Sequence, residues 1–120
     1  MKIFPRGKYI GFNRVTITLL GNPSRLVFMF DEPNERLIIL PSYEATIDSF
    51  EIPPRYWTDN RESCRIYRFA FFLMLKERFG WKNDKIYVVQ GIYQNVEDTQ
   101  KLIVFNFEDV IEVEQGDDEI

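Results

Sequence analysis

The 120-residue chain contains one cysteine and no histidine, and 45% of its residues are hydrophobic. This composition excludes a disordered chain, an internal disulfide, a structural zinc site and catalysis by histidine. The length predicts one domain over residues 1–120, in which 115–120 form an acidic tail. The longest apolar run is far shorter than the roughly twenty residues of a membrane span, so we expect a cytoplasmic protein without membrane contact.

The first half of the chain predicts short strands and one segment that fits either a strand or a helix. A strand is expected over 8–12. Residues 14–20 alternate apolar side chains with threonines, which is typical of a strand, but Asn13 is a good helix N-cap and Gly21 a good helix stop. From these residues alone, both a strand and a helix remain open there. The runs 25–31 and 36–40 then predict a β-hairpin, followed over 42–57 by one short strand and an extended crossing.

The second half predicts a long helix over 61–79, capped by Asp59 or Asn60 and ended by Gly80. Strands are expected over 85–93 and 101–107, joined by a hairpin, and an edge strand over 109–114. The predicted fold class is therefore α+β, with mostly antiparallel strands and hairpins and one long helix.

The predicted helix is apolar around most of its circumference, which indicates burial on more than one side. Either loops cover the second side or a second copy does, and we expect a homodimer. Phe69 and Leu73 lie one turn apart and are expected to be buried together.

The predicted helix over 61–79 also carries basic side chains on one side. Arg65, Arg68 and Lys76 would share one helical sector with Phe72 between them. Such a stripe can follow a phosphate backbone, although it is also typical of a solvated face.

No candidate catalytic residue emerges from the sequence. Cys64 would lie in the first turn of the helix near several arginines, which lowers a thiol pKa, but no base accompanies it and a small half-buried residue is the plainer interpretation. The carboxylate pairs at 31–32 and 97–98 fall in predicted hairpin loops, where acids favour turns. We therefore expect a protein that is not an enzyme and that uses neither a cofactor nor a metal.

The charges are sorted along the chain. Residues 1–30 contain five basic side chains and no acid, whereas 108–120 contain seven acids and no base. A surface of one sign attracts partners of the other, so the basic front predicts a nucleic-acid partner.

The first forty residues also resemble the AbrB/MazE-like swapped-hairpin proteins, in which a strand, a helical turn and a hairpin interlock between two chains. The resemblance rests on four segments: Ile10-Gly-Phe-Asn13, Leu19-Leu-Gly-Asn-Pro23, Leu26-Val-Phe-Met-Phe-Asp31 and Leu37-Ile-Ile-Leu-Pro41. It implies a short helix over 14–20, which decides between the two structures left open there. It also implies a DNA-binding transcription regulator whose Lys8, Arg14 and Arg25 face the nucleic acid. About 80 residues follow this module, more than is usual for such proteins.

A weaker likeness covers most of the chain. Gly80-Trp81, Tyr87, Gly91 and the run 102–107 are similar to uncharacterised small proteins of bacterial mobile elements. Together, the observations predict a homodimeric nucleic-acid-binding regulatory protein that is not an enzyme. The alternative is a protein-interaction or structural module without a nucleic-acid role. A basic face free of acids would favour the first, and basic side chains that are each neutralised by an acid would favour the second.

Overall fold

The structure is a computed structural model that describes residues 1–58 and 63–114, without the side chain of Phe69. The strands of this part are, in chain order, β1 (Lys2–Phe4), β2 (Tyr9–Asn13), β3 (Arg25–Asp31), β4 (Arg36–Ser42), β5 (Ser49–Glu51), β6 (Ser63–Ile66), β7 (Lys85–Val88), β8 (Gly91–Val96), β9 (Gln100–Asn106) and β10 (Ile111–Glu114). The helices are α1 (Arg14–Leu19), α2 (Pro54–Thr58) and α3 (Phe69–Phe79).

The strands form two five-stranded sheets in which every pair is antiparallel. The first sheet has the order β10-β7-β1-β2-β6, and the second has the order β5-β3-β4-β9-β8. This architecture confirms the predicted α+β class with mostly antiparallel strands.

The core lies between the inner faces of the two sheets. Ile3, Ile10 and Phe12 of the first sheet and Leu37 and Phe105 of the second are all at most 2% exposed. The rings of Phe12 and Phe105 lie 5.8 Å apart, centroid to centroid. Because side chains alternate across a strand, the residues of β1 and β2 that are adjacent in sequence to these buried ones face the other side of the first sheet.

Helix α1 confirms the prediction made for residues 14–20. The side chain of Asn13 accepts hydrogen bonds from the backbone N–H and the hydroxyl of Thr16, at 2.9 and 2.8 Å. At the other end Gly21 has φ 90°, and the N–H of Asn22 donates to the carbonyl of Ile17 at 3.0 Å. These bonds form a Schellman motif, so local capping at both ends outweighs the strand-like alternation.

The predicted hairpin is also present. Strands β3 and β4 pair over their full length, from Arg25 opposite Ser42 to Asp31 opposite Arg36. The order strand, short helix, hairpin expected from the first forty residues is therefore observed as an order of elements.

The predicted helix over 61–79 is wrong in its first part. Ser63–Ile66 is strand β6, and helix α3 begins only at Phe69, although it does end at Gly80 in the left-handed region, with φ 64°. The reason is tertiary: Cys64 and Ile66 are buried while Arg65 between them is exposed, and the segment pairs with β2. The predicted caps at 59–60 lie outside the described residues.

The predicted core pair on this helix is likewise not observed. Leu73 is 38% exposed, and the buried face of α3 is formed by Phe72 and Leu75 instead, at 2% and 0%. The side chain of Phe69 lies outside the described part. With Phe72 buried and Arg65 in a strand, the basic stripe expected on one helical sector does not form.

The predicted strand over 85–93 is two strands in two sheets. β7 lies in the first sheet and β8 in the second, so the chain crosses between sheets at 89–90. The expected edge strand near the C-terminal end is present as β10, which pairs with β7. The segment expected to be extended contains α2, with Pro54 at its first position, where proline is favoured.

Candidate functional site: a basic groove beside the first sheet

A groove of about 760 Å³ lies against the first sheet. Its lining comes from β1, β2 and β6, from one side of α1, and from β8 and β9 of the second sheet. The volume is within the roughly 300–1,000 Å³ that is usual for sites that enclose a small ligand or part of a larger one. We call it the Lys2–Arg65 groove, after the charged side chains that line it.

The strand register explains why these two cations lie together. Lys2 of β1 is opposite Gly11 of β2, and Gly11 is in turn opposite Arg65 of β6. Residues opposite one another on neighbouring strands point to the same face, so the three form one row. Two interstrand spacings place the Cα atoms of Lys2 and Arg65 about 10 Å apart.

Gly11, in the middle of this row, has no side chain above the sheet. A Cβ added there would meet the hydroxyl oxygen of Ser63 at 3.0 Å. The missing side chain of the glycine therefore makes room for the hydroxyl of Ser63, which lies in the row between the two cations and can donate a hydrogen bond.

An aromatic cluster holds Arg65 in place. Its guanidinium carbon lies 4.9 Å from the ring centroid of Tyr9. Tyr9 stacks on Phe4 at 4.6 Å and contacts Tyr67 at 5.2 Å, centroid to centroid. Tyr9 is buried, whereas Tyr67 is 60% exposed. The cluster thus fixes a cation and presents an open ring next to the groove.

The charges of the groove are all of one sign. Among the residues in the described ranges, no Asp or Glu side chain lines it, and no ion pair within 4.0 Å includes Lys2 or Arg65. Other cations are neutralised: Arg36 bonds to Asp31 at 2.6 Å, Arg78 to Glu32 at 3.0 Å, and Lys85 to Glu114. The groove is therefore a positive surface on a chain whose net charge is −4.

The walls add apolar surface and hydrogen-bonding groups. On α1, Val15 and Leu19 are 64% and 41% exposed and line one side, and Tyr93 of β8 lines the other. Lys2 and Arg65 can neutralise an anion, Tyr93 can stack on a ring and donate a hydrogen bond, and the two aliphatic side chains add apolar contact. They match a ligand that is anionic at one end and flat or apolar at the other.

The predicted nucleic-acid residues lie outside this groove. Lys8 is an exposed residue of the β1–β2 turn with φ 59°, and Arg14 begins α1, with its guanidinium 5.2 Å from the ring centroid of Tyr56. Arg25 is half-buried in β3 and donates to the hydroxyl and the carbonyl of Ser49, at 2.8 and 2.9 Å. The three do not share an element, and their role in binding stays a prediction.

Cys64 has a structural position. It is fully buried on the inner face of β6, and burial raises the pKa of its thiol to about 12. The low pKa considered for a helix N-terminus therefore does not apply. In the ranges that the structure describes, no three His, Cys, Asp or Glu side chains cluster as metal ligands would.

Sequence reasoning missed the groove itself. A usable signal is present in two strands, where a cation and a ring are separated by one residue: Lys2 with Phe4, and Arg65 with Tyr67. Such spacing places both on the same face of a strand. The second pair was hidden because its segment was assigned to a helix.

No family model, curated protein or solved structure matches this chain. Within the described ranges, none of the helices has the length and apolar character needed to cross a membrane.

Proposed function

We propose that the protein is a non-enzymatic, nucleic-acid-binding regulatory protein that holds a single-stranded segment in the Lys2–Arg65 groove. The observation that carries this proposal is the row Lys2–Gly11–Arg65, in which two cations without acidic partners among the described residues flank a glycine, beside an exposed tyrosine. Proteins that bind single strands combine these parts: a positive groove for the backbone and aromatic faces for the bases.

Geometry favours a single strand over a duplex. Helix α1 has six residues and would be about 9 Å long, which is short for an element that reads a major groove. Tyr67 can stack only on a base that has left its own stack. Phosphates next to that base would lie over Lys2 and Arg65.

The first experiment measures binding of a fluorescein-labelled mixed-sequence 12-mer by anisotropy at low salt, as a single strand and as a duplex. The single strand should bind more tightly. Tyr67→Ala should weaken that binding by about 5- to 150-fold, since stacking contributes about 1–3 kcal/mol per base. Equal affinity for the duplex, or no effect of Tyr67→Ala, would contradict the proposed site.

Matched variants separate the groove from general charge. Arg65→Gln should weaken binding, whereas Arg78→Gln removes the same charge from a side chain that is paired with Glu32 and should change binding little. Lys8→Gln, Arg14→Gln and Arg25→Gln test the residues predicted from the sequence. A loss confined to these three would place the interface outside the groove.

One observation favours the alternative of a protein-interaction module. The outer face of the second sheet carries a row of apolar side chains, with Met29 53% exposed at one end and Ile92 59% exposed at the other. Ile38 and Val104 complete this row between them. Apolar surface of this kind is typical of protein contacts. Absence of any oligonucleotide binding at low salt would favour this function.

A further inference from the structure

The edge strands of the two sheets differ in how they are protected. Edge strands expose unpaired backbone groups, and proteins usually protect them with charges, prolines or short length. β10 carries Glu112 and Glu114, β6 carries Arg65, and β5 is three residues long and contains Glu51. These three edges therefore have ordinary protection against pairing with another chain.

β8 has none of these features. Its six residues, Gly91-Ile-Tyr-Gln-Asn-Val96, include no charge and no proline. It is the outer strand of the second sheet, and in the described ranges only β9 pairs with it. Ile92 and Val96 are 59% and 46% exposed. The strand is a neutral, open template for one more strand.

The sequence of β8 is complementary to itself in one register. When an antiparallel pair is related by a two-fold axis normal to the sheet, one residue lies opposite its own copy. If that residue is Gln94, Ile92 of each copy lies opposite Val96 of the other, and Tyr93 of each copy lies opposite Asn95 of the other. If it is Tyr93, Ile92 lies opposite the polar Gln94. The first register matches apolar side chains with each other, which stabilises a sheet.

We propose that two copies of this chain pair through β8, antiparallel and centred on Gln94, to form one sheet that continues across both protomers. The absence of charge favours a second copy as the occupant, because the same arrangement of β10 would oppose glutamates. The pairing also extends the apolar outer face, since Ile92 of each copy gains a valine as neighbour. It is independent of what the groove binds.

The pairing has a consequence for the groove. Gly91 and Tyr93 belong to β8 and also line the Lys2–Arg65 groove. The two-fold axis is normal to the sheet, so both grooves lie on the same side of the joined sheet, and Tyr93 of each copy lies one position from the central Gln94.

The experiment is a charge exchange at the centre of the interface, followed by sedimentation velocity over a concentration series. At high concentration the wild-type chain should sediment as a dimer, with an apparent mass of twice the 14.4 kDa of one chain. Gln94→Glu and Gln94→Lys should each remain monomeric, since both place like charges opposite one another. An equimolar mixture of the two should regain the dimer, because unlike charges then meet.

A control excludes a general effect of charge on assembly. Gln100→Glu makes the same chemical change at an exposed position of β9, one strand in from the free edge, and should leave the dimer intact. Circular dichroism of each variant verifies that it is folded. A wild-type chain that stays monomeric, single variants that still dimerise, or a mixture that stays monomeric would each overturn the proposal.

Discussion

Replacing Gly91 by alanine should overpack the end of β8. A Cβ at this position would lie 2.5 Å from Cγ2 of Ile103 and 2.7 Å from Cε1 of Phe105. Both neighbours are buried, at 3% and 1% exposure, so neither can move aside into solvent. Overpacking of this kind costs about 1–3 kcal/mol, and the tight surroundings place Gly91→Ala in the upper part of that range.

The magnitude translates into a measurable shift in melting temperature. An unfolding entropy of about 2.1 cal/mol/K per residue gives about 0.25 kcal/mol/K for a chain of this length, so a loss of about 2–3 kcal/mol lowers Tm by about 8–12 °C. Urea unfolding at a fixed protein concentration measures the free energy directly. A loss below about 0.5 kcal/mol, the usual range of a neutral surface change, would refute the packing argument.

Two further variants separate the clash from other effects of the substitution. Ile103→Ala removes the closest atom, so the double variant Gly91→Ala/Ile103→Ala should be more stable than the sum of the two single losses predicts. Gly80→Ala tests backbone strain alone, since Gly80 has φ 64° and no atom of the described residues lies within 4 Å of the added Cβ. Its loss of about 1 kcal/mol should show no coupling to Ile103.

Three other predictions concern single sites. Burial raises the pKa of Cys64 to about 12 from a usual value of 9.0, so its thiol should resist Ellman's reagent until urea is added, and rapid labelling of the native chain would contradict the burial. For the same reason the free energy of unfolding of the wild type should fall as the pH rises from 9 to about 12, and this fall should be less steep in Cys64→Ala. Glu97 and Asp98 have positive φ values of 51° and 58°, which Asn and Gly adopt more easily. The double variant Glu97→Asn/Asp98→Gly should therefore raise the free energy of unfolding by about 1 kcal/mol. Urea unfolding that shows no gain would indicate that the turn is unstrained. Hydrogen bonds from Arg36 and Asn34 hold the pKa of Asp31 below its usual range. The ionised carboxylate therefore stabilises the folded state above about pH 4, and this stabilisation is lost as the pH falls through the lowered pKa. An acid-unfolding midpoint that Asp31→Asn leaves unchanged would exclude a contribution of this carboxylate.

Local signals contributed most where an element ends on its own side chains. For helix α1, Asn13 and Gly21 cap the backbone within a few residues, but the alternation of residues 14–20 fits a strand equally well, and the resemblance to the swapped-hairpin proteins decided for the helix. The hairpin of β3 and β4 follows from two apolar runs around a short loop. Gly80 ended a helix as expected, since it adopts a left-handed conformation that suits a residue without a Cβ.

Elements that depend on distant partners were not predictable in the same way. Strand β6 exists because residues near 64 pair with β2, about fifty positions earlier in the chain. The split of 85–93 likewise reflects pairing of β7 with β1 and of β8 with β9. The groove combines residues from these non-local pairs, so neither its charge nor its floor at Gly11 could be inferred before the register was known.

In the proposed complex, Lys2 and Arg65 hold phosphates of a single strand. The most direct measurement is the affinity of the wild-type chain and of Lys2→Gln/Arg65→Gln for the single-stranded 12-mer over a series of salt concentrations. Each phosphate contact adds about 0.7 to the slope of log K against log salt for a single strand. The double variant should bind more weakly, and the magnitude of its slope should be smaller by about 1.4, for two lost contacts. An unchanged slope, or no binding by the wild type at low salt, would contradict it.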